Sequence, residues 1–204
     1  MARVGILGGT FNPPHLGHLV CAGEARRAVG LDRVVLVPAA QPPHKHVGED
    51  PGPQAREAMC VLAVAGLGGL AVSRVELERP GPSYTVDTLR VLHEQWPEDD
   101  LTFIVGGDVA RSLPAWREPD QVLSLAGVAV AERSGAARDA IVASLRDLPG
   151  AERLQFFDMP RVDISSSLVR RRVAEGGPFD HLVPGGVGSY IRGHGLYGAG
   201  EGAF

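Results

Sequence analysis

Apolar positions along the chain follow two alternating patterns. Short β-rich runs are followed by longer stretches whose apolar residues recur every three or four positions, the spacing of one helix face. Residues 3–9 (RVGILGG) read as a buried strand. Residues 17–30 read as a helix, with Leu19, Val20, Ala25 and Ala28 at helical spacing and Gly30 as its stop. Residues 32–39 (DRVVLVPA) give a second buried strand, and the prolines and glycines of 40–53 forbid regular structure. The same reading places a helix at 54–66, a strand at 70–78 and a helix at 84–96 with Val86, Leu89 and Leu92 or His93 on one side. Strands follow at 101–108 and 127–133, a helix at 137–148, a strand at 153–159, and closing helices at 165–176 and 185–195. The tail GAGEGAF is expected to fray.

Strands alternating with helices predict an α/β, doubly wound parallel sheet with helices on both faces. In such a sheet ligands bind beyond the C-terminal strand ends, where the strand order reverses. The residues directly after strands are therefore the ones to search for chemistry. No internal repeat or linker is visible, so one domain is expected over 1–204, with its core at about 3–197.

Composition narrows the function classes. The 204 residues are 44% hydrophobic and 22% charged, the profile of an ordinary globular protein. A net charge of −4 gives no electrostatic footprint for a nucleic-acid polymer. Two isolated cysteines, Cys21 and Cys60, make neither a disulfide framework nor a zinc knuckle and read as buried reduced thiols. The first apolar run is too short for a signal peptide, and no window of 18 apolar residues exists to span a membrane. The expectation is a cytoplasmic protein with no membrane partner; the oligomeric state stays open, a homo-oligomer included.

The first candidate site is GGTFNPPHLGH, residues 8–18, between the first strand and the first helix. It lacks both the dinucleotide-fold glycine fingerprint and the Walker-type phosphate loop. Gly8 and Gly9 let the backbone approach something closely, and the helix start offers free N–H groups and a dipole to an anion. His15 and His18 share one face of its first turn, and either imidazole can donate to a phosphate oxygen. Half of a metal site, or incidental histidines, are the competing readings, and H-x-x-H without further ligands is weak evidence for zinc. The second candidate is RVDISSSLVRR, residues 161–171, where hydroxyls open a predicted helix and Ser166 and Arg170 stand four apart. That is a second anion-ready helix start, or else a capped basic surface helix.

Together these stretches resemble the two signatures of the H-x-G-H nucleotidylyltransferase superfamily, and GGTFNPPHLGH is similar to the form found in bacterial nicotinate-nucleotide adenylyltransferases. Asn12 stands where many members carry Asp, and Ser167 replaces the commoner Thr. The resemblance implies a Rossmann-like fold, with His15, His18 and Arg170 as catalytic residues. It also implies an ATP site lined by Gly8, Gly9, Thr10, Phe11, His15, His18, Ile164, Ser165, Ser166, Ser167 and Arg170. The stretch VGGDVARSLPAW (105–116) resembles a further family element, in which Gly106, Gly107 and Asp108 flank adenosine and Trp116 stacks on a pyridine ring. Arg133, at the end of VAER, would cover the adenine.

The acceptor is addressed by ERPGPSYTVDTL (78–89), which resembles the nicotinate-nucleotide element in which Tyr84 and Thr85 would recognise the pyridine carboxylate, Asp87 supporting the turn. Lys45, in PAAQPPHKH, would reach the mononucleotide phosphate. By this resemblance the chain joins ATP and nicotinate mononucleotide to give nicotinate adenine dinucleotide and pyrophosphate. The mononucleotide phosphate attacks the α-phosphorus directly, and Mg²⁺ arrives with ATP rather than on dedicated protein ligands. Two alternatives stay open: a same-fold enzyme taking nicotinamide mononucleotide, phosphopantetheine or glycerol 3-phosphate, and a nucleotide sensor that does no chemistry. The 40–53 loop has the composition of a lid over the acceptor.

Overall fold

The computed structural model describes residues 1–42, 49–132 and 134–198. Six strands form one all-parallel sheet: β1 (Arg3–Gly9), β2 (Arg33–Pro38), β3 (Leu70–Val72), β4 (Asp100–Gly106), β5 (Gly127–Ala131) and β6 (Leu154–Phe157). Their spatial order is β3-β2-β1-β4-β5-β6, so the direction in which strands are added to the sheet reverses between β1 and β4. The helices are α1 (Leu16–Val29), α2 (Pro53–Val64), α3 (Thr85–Gln95), α4 (Gly107–Ser112), α5 (Pro119–Leu125), α6 (Gly135–Leu145), α7 (Ser166–Ala174) and α8 (Gly185–Gly193).

The two-residue period of the strands sorts their side chains into two cores. Val4 and Ile6 of β1, Val35 and Val37 of β2, and Leu101, Phe103 and Val105 of β4 face Val86, Leu89 and Leu92 of α3, with α5 and α6 beside them. The intervening Leu7, Val34, Leu36, Ile104 and Ala129 face Ala22, Ala25 and Val29 of α1 and Cys60 of α2. A third cluster joins Met59 and Ala63 of α2 to Val169 and Val173 of α7, Val187 and Ile191 of α8, and Tyr197. It carries the C-terminal part of the chain back to the sheet.

Several sequence expectations are corrected. The strand expected at 70–78 ends at Val72. Ser73 N–H still bonds the Leu36 carbonyl of β2, but beyond it the Ser73 hydroxyl takes the Val75 N–H and Glu78 N–H bonds the Arg74 carbonyl, so the ladder goes no further. The strand expected at 101–108 stops at Gly106, because Gly107 and Asp108 already belong to α4. The sequence pattern predicts no element over 109–126, where α4, a short 3₁₀ turn at Leu113–Ala115 and α5 lie. These pieces are too short to show a period, and two of them begin with a proline in the first turn. Cys21 is half-buried rather than buried; Cys60 is buried. Burial pushes the Cys21 thiol up to about 11 and Cys60 higher still, which keeps both protonated. Lys45, Arg133, residues 43–48 of the proposed lid and nearly all of the tail lie outside the described residues.

Candidate active site

The β1–β2 ladder runs to the strand ends, finishing at Gly9↔Pro38, whereas the β1–β4 ladder finishes at Ile6↔Phe103. The C-terminal ends of β1 and β4 thus part at the switch point, and the candidate residues gather around that crevice. Gly8 and Gly9 close β1. A Cβ at Gly9 would lie 3.1 Å from the Phe11 ring, and one at Gly8 3.4 Å from the Phe103 ring. Phe11 takes a left-handed backbone (φ 50) and is buried, turning the chain sharply toward α1.

His15 is the N-cap of α1. Its N–H donates to His18 Nδ1 at 3.1 Å, so His18 answers the cap from one turn on. A neutral His18 ring accepting at Nδ1 carries its proton on Nε2 and presents that atom as a donor. The two imidazoles stack with centroids 3.7 Å apart, and the Phe11 ring meets His18 edge-on at 4.9 Å. Burial pulls His15 down to about 4; burial and then the neighbouring His15 pull His18 down to about 3. Both rings are therefore neutral near pH 7. His15 Nδ1 is buried without a partner among the described residues. A Cβ at Gly17 would lie 3.0 Å from His15 Nδ1, a tight contact that a glycine avoids.

The second signature folds onto the first across more than 150 residues. Ser165 caps α7 by accepting from Leu168 N–H at 3.1 Å. The Ser166 hydroxyl donates to the Pro13 carbonyl at 2.8 Å, and Arg170 donates to the Asn12 carbonyl at 2.7 Å and to Ser167 Oγ at 3.3 Å. Ile164 packs against the third core. Two helix N-termini and two histidines are thereby held around one turn.

On the β4 side, Gly106 precedes α4 and Asp108 pairs with Arg111 on the surface. A side chain on Gly107 would run into the Glu132 carboxylate. Past β5 and β6 a cleft of about 420 Å³ is lined by Glu132, Met159, Pro160 and Arg161 among others. On the β2 side, Tyr84 caps α3 and Thr85 is its first residue. Ser83 Oγ accepts from Ala40 N–H at 3.0 Å and Gln41 N–H at 3.3 Å, binding the α3 start to the chain leaving β2. Trp116 meets the Phe103 ring edge-on at 5.8 Å and donates from Nε1 to Ser112 Oγ. Arg117 lies over the Tyr84 ring at 4.9 Å. Asp87 accepts from Arg79, Arg90 and Arg117 and holds this corner together. Buried Glu76 accepts from Thr88 at 2.7 Å, and burial raises its carboxyl above the usual range.

Sequence reading passes over several residues that build this site. Arg117 offers little signal, being one of many exposed arginines. Asn12 stands out in the sequence only as a variant, yet its Oδ1 accepts from Tyr197 at 2.6 Å. Arg56 is fully buried and does carry a signal: it occupies the apolar stripe of its helix with Met59, Cys60 and Ala63.

Residues 6–172 match the family described as cytidylyltransferase-like. A protein of Roseiflexus sp. (strain RS-1), named "Probable nicotinate-nucleotide adenylyltransferase", is 46% identical over 96% of this chain and 98% of its own. One of the same name from Thermus thermophilus is 44% identical over 96% and 99%. Among solved structures, Plasmodium falciparum nicotinic acid mononucleotide adenylyltransferase complexed with NaAD superposes with a TM-score of 0.75, covering 98% of this chain and 99% of that one at 18% identity. That last likeness is one of fold.

Proposed function

The chain belongs to the nicotinate-nucleotide adenylyltransferases within the cytidylyltransferase-like family, and on that premise we propose how its residues carry out the reaction. ATP and nicotinate mononucleotide are joined to nicotinate adenine dinucleotide, and pyrophosphate leaves. One observation supports the assignment of roles above all others. The H-x-G-H turn and the start of α7 are hydrogen-bonded into one anion-ready cradle at the switch of strand order, through Ser166 to Pro13 and Arg170 to Asn12.

In this reading ATP lies with its phosphates over the starts of α1 and α7. His18 donates from Nε2, His15 contributes the ring whose Nδ1 has no partner among the described residues, and Arg170 and the hydroxyls of Ser165 and Ser167 complete the set, with Ser166 holding the turn through Pro13. Gly8, Gly9, Thr10 and Phe11 let the nucleotide approach β1 closely. Gly106 and Asp108 flank the adenosine, and Arg133 covers the base. Tyr84, Thr85 and Trp116 receive the pyridine ring and its carboxylate, and Lys45 reaches the mononucleotide phosphate.

That phosphate is already ionised near pH 7, so the attack needs no general base. An oxygen of the mononucleotide phosphate bonds to the α-phosphorus as the bond to the pyrophosphate oxygen breaks. Rate comes from alignment of two anions and from neutralising charge on the leaving group. We treat Mg²⁺ as part of the nucleotide substrate, held by phosphate oxygens and water. Among the described residues no group of three or more His, Cys, Asp or Glu is gathered for a cation. Among them, too, no helix is long and apolar enough to cross a membrane. We place the enzyme's work in the cytoplasm, on small-molecule substrates.

The test offers ATP–Mg²⁺ with nicotinate mononucleotide, nicotinamide mononucleotide or phosphopantetheine and follows pyrophosphate. Turnover is expected with the nicotinate form, falling about 10²–10³-fold in His18→Ala, the scale set by loss of one transition-state donor. Turnover preferring another acceptor would overturn the roles given to Tyr84, Thr85 and Trp116.

A further inference from the structure

Among the described residues Arg56 is the largest fully buried side chain, and the reaction as described does not use it. It rises from the first turn of α2 to the ends of β1 and β2. Nη1 donates to the Thr10 carbonyl at 2.9 Å and to the Ala39 carbonyl at 2.6 Å. Nη2 donates to the Ala40 carbonyl at 3.3 Å, and Nε to Asp50 Oδ1 at 2.9 Å. Four of its five N–H groups are thus committed, to three separate stretches of chain.

Those stretches have distinct duties. The backbone pairing of β1 with β2 ends at Gly9↔Pro38, and Thr10 and Ala39 are the next residues on each side. Arg56 continues the ladder past its last pair with a side chain. Thr10 leads into the turn that carries His15 and His18. Ala39 and Ala40 lead toward the acceptor side, where Ser83 also holds the Ala40 N–H. Asp50 lies just before α2. A guanidinium suits this task because its donors form a rigid planar fork, whereas an ammonium is one rotatable point charge.

We infer that Arg56 is a positioning residue that sets the spacing between the ATP-phosphate half and the mononucleotide half of the site. This rests on the proposed reaction. In-line transfer requires the attacking oxygen and the α-phosphorus to lie within about 3–3.5 Å in line, and a 1 Å misplacement can cost about 10²-fold. A residue that fixes the two strand ends governs that gap without touching either substrate. Its loss therefore reaches kcat rather than the affinity of each substrate alone.

The experiment compares Arg56→Lys and Asp50→Asn with the wild-type full chain. Steady-state kinetics with ATP–Mg²⁺ and nicotinate mononucleotide is paired with calorimetric Kd values for a non-hydrolysable ATP analogue and for the mononucleotide, each alone. Hydrogen exchange by mass spectrometry reports on peptides over 9–12, 39–42 and β5. For Arg56→Lys we expect kcat to fall about 10- to 10²-fold, each Kd to stay within about threefold, and exchange to rise together at 9–12 and 39–42 while β5 is unchanged. Asp50→Asn, which leaves the three carbonyl contacts in place, is expected to lose less. A kcat within about twofold of wild type alongside lower thermal stability would overturn the proposal, as would exchange rising uniformly over the sheet. If the wild type itself makes no dinucleotide, the functional reading fails. The paired exchange at 9–12 and 39–42 then still decides whether Arg56 clamps the two strand ends.

Discussion

At the scale of single residues, the two histidines carry an acid sensitivity that their burial dictates. Each folded pKa, about 4 for His15 and about 3 for His18, lies below the ordinary 6.5 of an unfolded histidine. Between those values the unfolded chain binds protons that the folded chain refuses, so stability rises with pH and is lost as pH falls below 6.5. Each ring contributes up to about 1.4 kcal/mol per pH unit over that window. Because the rings stack at 3.7 Å, they titrate as a pair. Urea unfolding between pH 6.5 and 5, above most carboxylate titration, should show this slope in the wild type and about half of it in His18→Gln. An unchanged slope in the variant would mean that the burial of His18 does not set it. The same neutrality bears on the proposed roles: in that reading the histidines offer N–H dipoles rather than fixed charges, and Arg170 supplies the permanent positive charge.

At the scale of elements, what could be read from sequence was what has a period. β1, β2 and α1 appeared within two residues of their observed ends, because Val4–Leu7 and Val34–Val37 are unbroken apolar runs and α1 closes on Gly30. The 107–126 region could not be read. Its helices are six and seven residues long, and their reason for folding is tertiary: Ala110, Leu113, Val122 and Leu123 complete the core under α3 and α6. The proposed site is legible in its two signatures, whose residues are contiguous. It is not legible in contacts such as Arg170 to Asn12, which exist only once the sheet brings the ends of the chain together. Ser83 shows how an element is placed. Its hydroxyl satisfies two backbone N–H groups beyond β2 and so fixes the start of α3 against the proposed acceptor side. Ser83→Ala leaves those donors unpaired, at a net cost of about 1 kcal/mol. The KM for the mononucleotide should rise about fivefold and that for ATP much less. An equal rise in both would show that α3 is not specific to the acceptor.

At the scale of the whole molecule, the fold closes on itself at the site. The third core draws α7, α8 and the C-terminal turn onto α2, and from there Tyr197 reaches back 185 residues to Asn12. Tyr197 adopts a left-handed backbone (φ 59) and is buried, and burial pushes its phenol well up, so the hydroxyl is a donor at any working pH. Asn12 Oδ1 is the acceptor, an atom that Asp would also supply, which gives a physical reason for the resembling motif to admit either residue. Asn12 in turn offers its carbonyl to Arg170, so the phenol, the turn and the arginine form one chain of contacts. Tyr197→Phe keeps the ring and its packing but strands a buried acceptor. Removing one partner of such a bond costs about 1–3 kcal/mol. The urea midpoint should fall at constant slope, and the KM for ATP should rise severalfold as Arg170 loses a firm support. Asn12→Asp, which keeps the acceptor, should preserve both quantities. A Phe variant as stable as wild type with unchanged ATP kinetics would show that the C-terminal turn merely covers the site. The expected result would make the end of the chain part of the nucleotide cradle opened at residue 8.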